Sequence, residues 1–370
     1  MQGKSSLYLH LPFCEKKCFY CSFTVSVGQL HRRDDYLQCL GQEADRYAED
    51  EICSVYFGGG TPSLLTEEQL ERLVAMVHAK FSVEKDAEWT IEANPEDITW
   101  DKARLLRSLG ITRISLGAQS FHDGYLKYLG RCHDAQQIHK AYGFLRKAGW
   151  DNINLDLMYA FPEQTVAELE ADVDALLALQ SEHVSLYTLT IDPHSRFFVR
   201  KIEETDGGCQ AEQYSRVTEL LGGAGYRQYE VSNFSRRGKE SRHNLHYWCG
   251  GNYIGLGVGA HSHCDGQRWW NVSRLPDYLQ RIRTENHARE DGEELNAHQR
   301  LTETFLIGLR MTEGVDRRQL QERYGCSLTP EQDRTIDNFI KEGWLVREGN
   351  RIKASRSGLL VLDQLCARLI

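Results

Sequence analysis

Short apolar runs alternate with stretches of helical periodicity through the first half of the chain. The runs predict strands over residues 7–11, 54–57, 88–93, 113–117, 152–158 and 183–189. Between them the spacing predicts helices near 32–49, 66–80, 98–109, 122–148 and 164–180. In the second helix Leu70, Leu73, Val74, Val77 and Phe81 share a face behind the N-cap residue Thr66. In the fifth, Val166, Leu169, Val173 and Leu176 follow Thr165. Regular β-then-α alternation implies parallel strands joined by right-handed crossovers. Six such units are too few to close an eight-stranded barrel, so the expected fold class is α/β, a partial (β/α)6 barrel of TIM type. A doubly wound sheet is the competing architecture.

Polar or glycine-rich residues fall at the same end of successive strands. Pro12-Phe13-Cys14 follows the first and Gly58-Gly59-Gly60-Thr61-Pro62 the second; Glu92 ends the third, Gln119 follows the fourth, and Asp156 sits late in the fifth. Parallel α/β folds place their chemistry at the C-terminal ends of strands. After about residue 210 the pattern changes. A helix over 211–221 leads into a glycine-, histidine- and aromatic-rich stretch, and residues 301–370 read as helices, a hairpin-like run over 343–353 and a last helix, a winged-helix layout. The expected division is a core over 1–230, a connecting region over 231–300 and a C-terminal domain over 301–370.

Length supports that division, because 370 residues exceed what one hydrophobic core organises. With 41% hydrophobic and 26% charged residues the composition is that of a globular protein and excludes disorder. No apolar run is long enough for a spanning helix, and the N-terminus lacks a signal-peptide core, so a cytoplasmic protein is expected. The net charge of −9 argues against nucleic acid as a partner. The C-terminal domain has no basic excess either, which favours a structural cap over DNA binding.

The eleven cysteines are odd in number and mostly scattered, so a disulfide framework is not expected. Three lie together as Cys14-Glu-Lys-Lys-Cys18-Phe-Tyr-Cys21. A structural zinc site takes four ligands, and Ser22 and Phe23 supply none. A [4Fe–4S] cluster on three cysteines leaves one iron open to the amino and carboxylate groups of S-adenosylmethionine, whose sulfonium bond an electron from the cluster can cleave. The glycine run suits close backbone approach to such a ligand and lacks the Lys-Ser/Thr of a P-loop. Zinc with a distant ligand remains the alternative.

The cysteine spacing followed by Gly-Gly-Gly-Thr-Pro resembles the radical S-adenosylmethionine superfamily. Three longer segments are similar to its coproporphyrinogen III oxidase-like branch: residues 7–14 (LYLHLPFC), 156–165 (DLMYAFPEQT) and 228–234 (QYEVSNF). The resemblance implies that Cys14, Cys18 and Cys21 carry the cluster, and that Tyr8, Tyr20, Gly59, Gly60, Thr61, Glu92, Gln119, Arg131 and Asp156 line the S-adenosylmethionine site. Dehydrogenases of the branch carry a further cysteine where this chain has Phe23, and an N-terminal extension where this chain begins thirteen residues before Cys14. Both departures match the haem chaperones of the branch. Coproporphyrinogen oxidation is therefore not expected, although the core has the residues for S-adenosylmethionine cleavage.

His243-Asn-Leu-His-Tyr247-Trp248 is similar to the haem-binding motif of those chaperones, with His243 at the iron-ligand position and Tyr247 and Trp248 against the porphyrin. Read without the resemblance, a histidine among aromatics is more often a hydrogen-bonded structural residue, and His246, His261 and His263 lie close by. Gly255-Leu-Gly257-Val-Gly259-Ala260 matches G-x-G-x-x-A but lacks a βαβ setting and the acidic residue a dinucleotide needs. The resemblance implies haem and haem-acceptor proteins as partners, those of the respiratory chain among them, and leaves room for a homodimer and for peripheral membrane contact.

Overall fold

The computed structural model describes residues 4–48 and 50–370. Six parallel strands follow one another in chain order: β1 (Ser5–Leu11), β2 (Glu51–Gly59), β3 (Ser82–Ala93), β4 (Arg113–Gln119), β5 (Ile153–Tyr159) and β6 (His183–Thr188). Sequential order without a reversal is barrel winding and rules out the doubly wound alternative. The crossovers carry α1 (Arg33–Ala44), α2 (Glu67–Lys80), α3 (Trp100–Ser108), α4 (Asp123–Leu129), α5 (Ala135–Lys147) and α6 (Val166–Leu179). Thr66 and Thr165 close capping boxes with Gln69 and Glu168, as the sequence expects.

Each strand has two unlike faces. Leu7, Leu9, Val55, Phe57, Ile91, Ile114, Leu116, Leu155 and Val184 pack in the core that the crossover helices cover. The alternate residues are polar: Tyr8 and His10, Ser54 and Tyr56, Glu88 and Glu92, Arg113 and Ser115, Asn154 and Asp156, His183 and Ser185. Both sets are largely buried, so the second face lines a polar interior rather than solvent.

The helix expected over 122–148 is two helices. Gly130 ends α4 in the left-handed conformation, at φ 78°, and Asp134 with Gln137 caps α5. The break delivers Arg131 to the strand ends. The helix expected over 32–49 stops at Ala44 and is followed by one 3-10 turn; its last expected residue, 49, lies outside the described residues.

Residues 227–294 contribute to the same sheet. The short strands β7 (Arg227–Gln228) and β8 (Asn233–Ser235) extend it beyond β6. On the other side β9 (Asn252–Leu256) lies parallel to β1, and β10 (His261–Cys264), β11 (Gln267–Asn271) and β12 (Arg289–Glu294) continue antiparallel to give twelve strands. The stretch expected as a connection thus adds strands to the barrel sheet, with α7 (Arg196–Val199) and α8 (Gly207–Gly223) before it, α9 (Arg242–Trp248) within it, and α10 (Leu275–Glu285) packed outside. The C-terminal residues have their own core. They form α11 (Ala297–Gly308), β13 (Val315–Asp316), α12 (Arg317–Tyr324), α13 (Pro330–Lys341), the antiparallel pair β14 (Leu345–Glu348) and β15 (Arg351–Ala354), and two short helices. This is the winged-helix order. Among the described residues no helix is long and apolar enough to cross a membrane.

Glu43 of α1 joins the barrel to the added strands. Its buried carboxylate accepts hydrogen bonds from Gly257 N at 2.8 Å and the Tyr278 hydroxyl at 2.7 Å, and also from the Asn271 amide. Burial outweighs these donors and pushes its pKa up to about 7, from an ordinary value of 4.5. The folded chain therefore binds this proton more tightly than the unfolded one. The stabilisation is complete below pH 4.5 and is lost as pH rises through 7. Urea unfolding of the wild type should lose about 3 kcal/mol more across that window than unfolding of Glu43→Gln. Parallel curves for the two proteins would contradict the assignment.

Candidate functional site

The loop leaving β1 carries the three cysteines, and the β2 turn reaches over it. Gly60 N donates to Leu11 O at 2.8 Å and Thr61 N to Phe13 O at 2.8 Å. A Cβ on Gly60 would lie 2.7 Å from backbone atoms of Pro12 and Phe13, so only glycine allows this approach. The Thr61 hydroxyl lies 3.4 Å from Cys14 Sγ, and the Arg131 Nη1 donates to Cys18 Sγ at 3.5 Å. Burial pushes the Cys14 thiol up to about 11 despite Thr61. Among the described residues no three Cys, His, Asp or Glu side chains converge on a single-ion site. Cys14, Cys18 and Cys21 instead line one cavity of about 390 Å³.

That cavity gathers most of the expected nucleoside contacts: Tyr20, Gly59, Gly60, Thr61, Glu92, Gln119, Arg131 and Asp156. Arg131 is held by Asn94 Oδ1 at 2.6 Å and Gly117 O at 3.2 Å, while its Nε is buried without a partner among the described residues. Glu92 accepts from Gly59 N at 3.0 Å and from the Tyr56 hydroxyl at 2.9 Å; burial pushes it up to about 7. Burial also raises Asp156, which Asn154 Nδ2 contacts at 2.7 Å. Three sulfurs, a buried cation with a spare donor, two buried carboxylates and a glycine cradle fit a thiolate-held cluster with an amino-acid nucleoside beside it.

Tyr8 lies elsewhere. It lines a second cavity of about 580 Å³, with His10, Tyr56, His243, Tyr247 and His261. Ser22, Phe23, Gly59 and Glu92 line both cavities and so form their common wall. His243 belongs to α9, whose start is fixed by Glu88: its carboxylate accepts from His243 N at 3.1 Å, Arg242 N at 3.2 Å and the Ser241 hydroxyl at 3.2 Å. The imidazole Nδ1 lies 2.9 Å from Ser54 Oγ, and the ring packs between Tyr56 and Tyr247. Its Nε2 is buried with no hydrogen-bond partner among the described residues. Burial lowers the pKa to about 3, which keeps the ring neutral. A neutral imidazole with one nitrogen supported and the other spare suits a metal in an aromatic pocket.

The neighbouring histidines differ. His246 has both nitrogens engaged, with Asn252 O at 2.7 Å and Cys53 Sγ at 3.7 Å. Trp248 does not line this cavity; Arg310 of the C-terminal domain lies 4.6 Å from its ring centroid.

Sequence reasoning missed the support beneath the rim. Arg113 is 2% exposed and, among the described residues, makes no ion pair, yet its charge bears on both Glu92 and Asp156. Asn154 Oδ1 lies 2.6 Å from His183 Nδ1, and His183 Nε2 lies 2.9 Å from the Tyr229 hydroxyl. Part of a signal existed: Asn154 occupies the same strand phase as Asp156, so counting back by two finds it, whereas a register shift between Leu116 and Gln119 breaks the count from Gln119 to Arg113.

Comparison with known proteins accords with this arrangement. The radical SAM superfamily model matches residues 8–176, and the HemN C-terminal domain model matches residues 295–361. The haem chaperone HemW of Bacillus subtilis is 33% identical over 365 residues, covering 96% of each chain. HemW of Escherichia coli is 33% identical over 377 residues, covering 97% of this chain and 96% of its own. The solved coproporphyrinogen III oxidase HemN of Escherichia coli superimposes with a TM-score of 0.88 at 24% identity, over 99% of this chain and 90% of that one; this likeness is one of fold. The chain therefore belongs to the radical S-adenosylmethionine superfamily and, within it, to the HemW haem chaperone family.

Proposed function

We propose that the chain binds haem in the cavity beside the thiol-lined site, where His243 would supply a nitrogen to its iron, and passes it to haem-acceptor proteins in the cytoplasm or at the respiratory chain. The observation that carries this reading is the buried, partnerless Nε2 of His243, supported through its other nitrogen by Ser54. Tyr56 and Tyr247 supply aromatic contact, and Tyr8 and Tyr253 extend the apolar lining.

Cys14, Cys18 and Cys21 would hold a [4Fe–4S] cluster, with S-adenosylmethionine in the same cavity. When bound, the pair supplies an open iron and one-electron chemistry. The residues of the chain bind and orient. Arg131 offers its free Nε to a carboxylate, Glu92 and Asp156 accept from an ammonium or ribose hydroxyls, and the glycine turn admits the backbone of an amino acid. Phe23 stands in the wall between the sites where the dehydrogenase pattern has a further cysteine, so haem handling rather than propionate oxidation is the reading favoured here.

Anaerobic reconstitution should load roughly four irons per chain. Cys14→Ala, Cys18→Ala or Cys21→Ala should each abolish the brown chromophore, and Cys39→Ala, in the helix-facing core, should leave it intact. Zinc uptake by a colourless protein would sink the cluster assignment. In haem titrations His243→Ala should alter or abolish the Soret band. Ser54→Ala, which keeps the ring and removes its support, should weaken affinity by about tenfold. An unaltered titration for His243→Ala would reject it as ligand. With reductant and S-adenosylmethionine, coproporphyrinogen III should stay unconsumed; protoporphyrinogen formation would favour the dehydrogenase instead.

A further inference from the structure

Three histidines line the larger cavity, and their nitrogens are not equally committed. His10 is saturated: its Nδ1 lies 3.1 Å from the Tyr8 hydroxyl and its Nε2 lies 2.7 Å from Thr24 O. His243 has one nitrogen spare. His261 is exposed, and among the described residues no side-chain hydrogen bond engages its ring. Its imidazole stacks on Trp270, at 5.8 Å between centroids and 25° between planes. His261 and Trp270 face each other across the β10–β11 pair, so the strand register itself sets the ring.

The glycine run unsuited to a dinucleotide has a purpose in this light. A Cβ on Gly255 would meet His261 O at 2.1 Å, so β9 and β10 can approach only with glycine there. Gly257, at φ 103°, leaves no room for a side chain beside the Tyr36 hydroxyl and His10 O. That hydroxyl donates to His10 O at 2.5 Å and accepts from Val258 N at 3.1 Å. The tight bend folds residues 259–261 back into the cavity wall. Glycines that serve no phosphate here serve to present a histidine.

We propose that His261 is the second axial ligand of the haem held by His243. The inference rests on the haem reading above and adds to it a partition of roles. His243 is 2% exposed and braced by Ser54, which makes it the retained ligand. His261, exposed at the cavity edge and braced only by stacking, is the ligand an incoming acceptor can reach first.

The test is spectroscopic and uses the full chain titrated with ferric haem. The wild type should give a six-coordinate, low-spin visible and electron paramagnetic resonance spectrum. His261→Ala should still bind haem but turn high-spin, and added imidazole should restore the low-spin form. His263→Ala, which does not line the cavity, should match the wild type. His261 is exposed, so its loss leaves the fold intact, which a thermal melt verifies. A low-spin His261→Ala spectrum, or a high-spin wild type, would overturn the ligand assignment while leaving His243 in place. Failure of the wild type to take up haem would instead overturn the haem reading and this inference with it.

Discussion

The structure depends on a two-residue alternation within six parallel strands, interrupted by register shifts at Ser5/Ser6, Ile52/Ser54 and Leu116/Gln119. In most parallel sheets both faces are apolar, because helices or a packed interior cover them. Here one phase supplies Leu9, Phe57, Ile91, Leu116 and Leu155 to the helices, and the other supplies Tyr8, Tyr56, Glu92, Ser115 and Asp156 to the interior. A shift of one residue in any strand would exchange these sets, burying carboxylates against α2 or α5 and emptying the site. Register is therefore a condition of stability and of ligand binding at once. It also explains why the polar supports beneath the rim come from so many strands, while the cysteines, Gly60, Thr61 and Arg131 come from the connections above them.

A polar interior needs its charges managed. Arg113 is the buried cation whose field reaches both Glu92 and Asp156, but it pairs directly with neither. Burial therefore raises both acids and leaves Glu92 near neutrality, between its two protonation states. A ligand bearing an ammonium and several hydroxyls would relieve this imbalance; an apolar one would worsen it. The neighbouring cavity follows another rule. There burial drives His243 neutral and surrounds it with tyrosine rings, which suits a flat, largely apolar ligand with a metal at its centre. Glu92 and Gly59 belong to both walls, so two chemically distinct sites share one partition.

Much of this was legible in the chain. The six strands, their order and the capping threonines follow from periodicity because local burial dictates them. The cysteine loop and glycine turn are legible because their residue types have few other uses at that spacing. What escaped involved contacts between distant segments. Nothing local distinguishes Ser54 or Glu88 from surface residues; only the docking of α9 makes them the floor of a site. The helix break at Gly130 was hidden by apolar residues that continue in phase on both sides, although the glycine and the Asp134 cap mark it. Trp248 follows Tyr247 directly, yet a helix turns successive residues by about 100° and sends it to the other domain.

That last displacement gives the C-terminal domain a part in the site. Arg323 of α12 donates to the carbonyls of Cys249 and Gly250, at 2.7 and 2.6 Å, where α9 ends and its carbonyls lack helical partners. Arg310 covers Trp248 and reaches the buried Glu230 at 3.2 Å, beside the strand that closes the barrel edge. Glu88 fixes the start of α9 from the barrel, and two arginines fix its end from the other domain. A seven-residue helix is too short to persist alone in water. It holds His243 in place because both domains grip it, so the ring's position is a property of their junction. A winged-helix layout without basic excess then has a role that needs no nucleic acid: it closes the grip on the helix that carries the histidine.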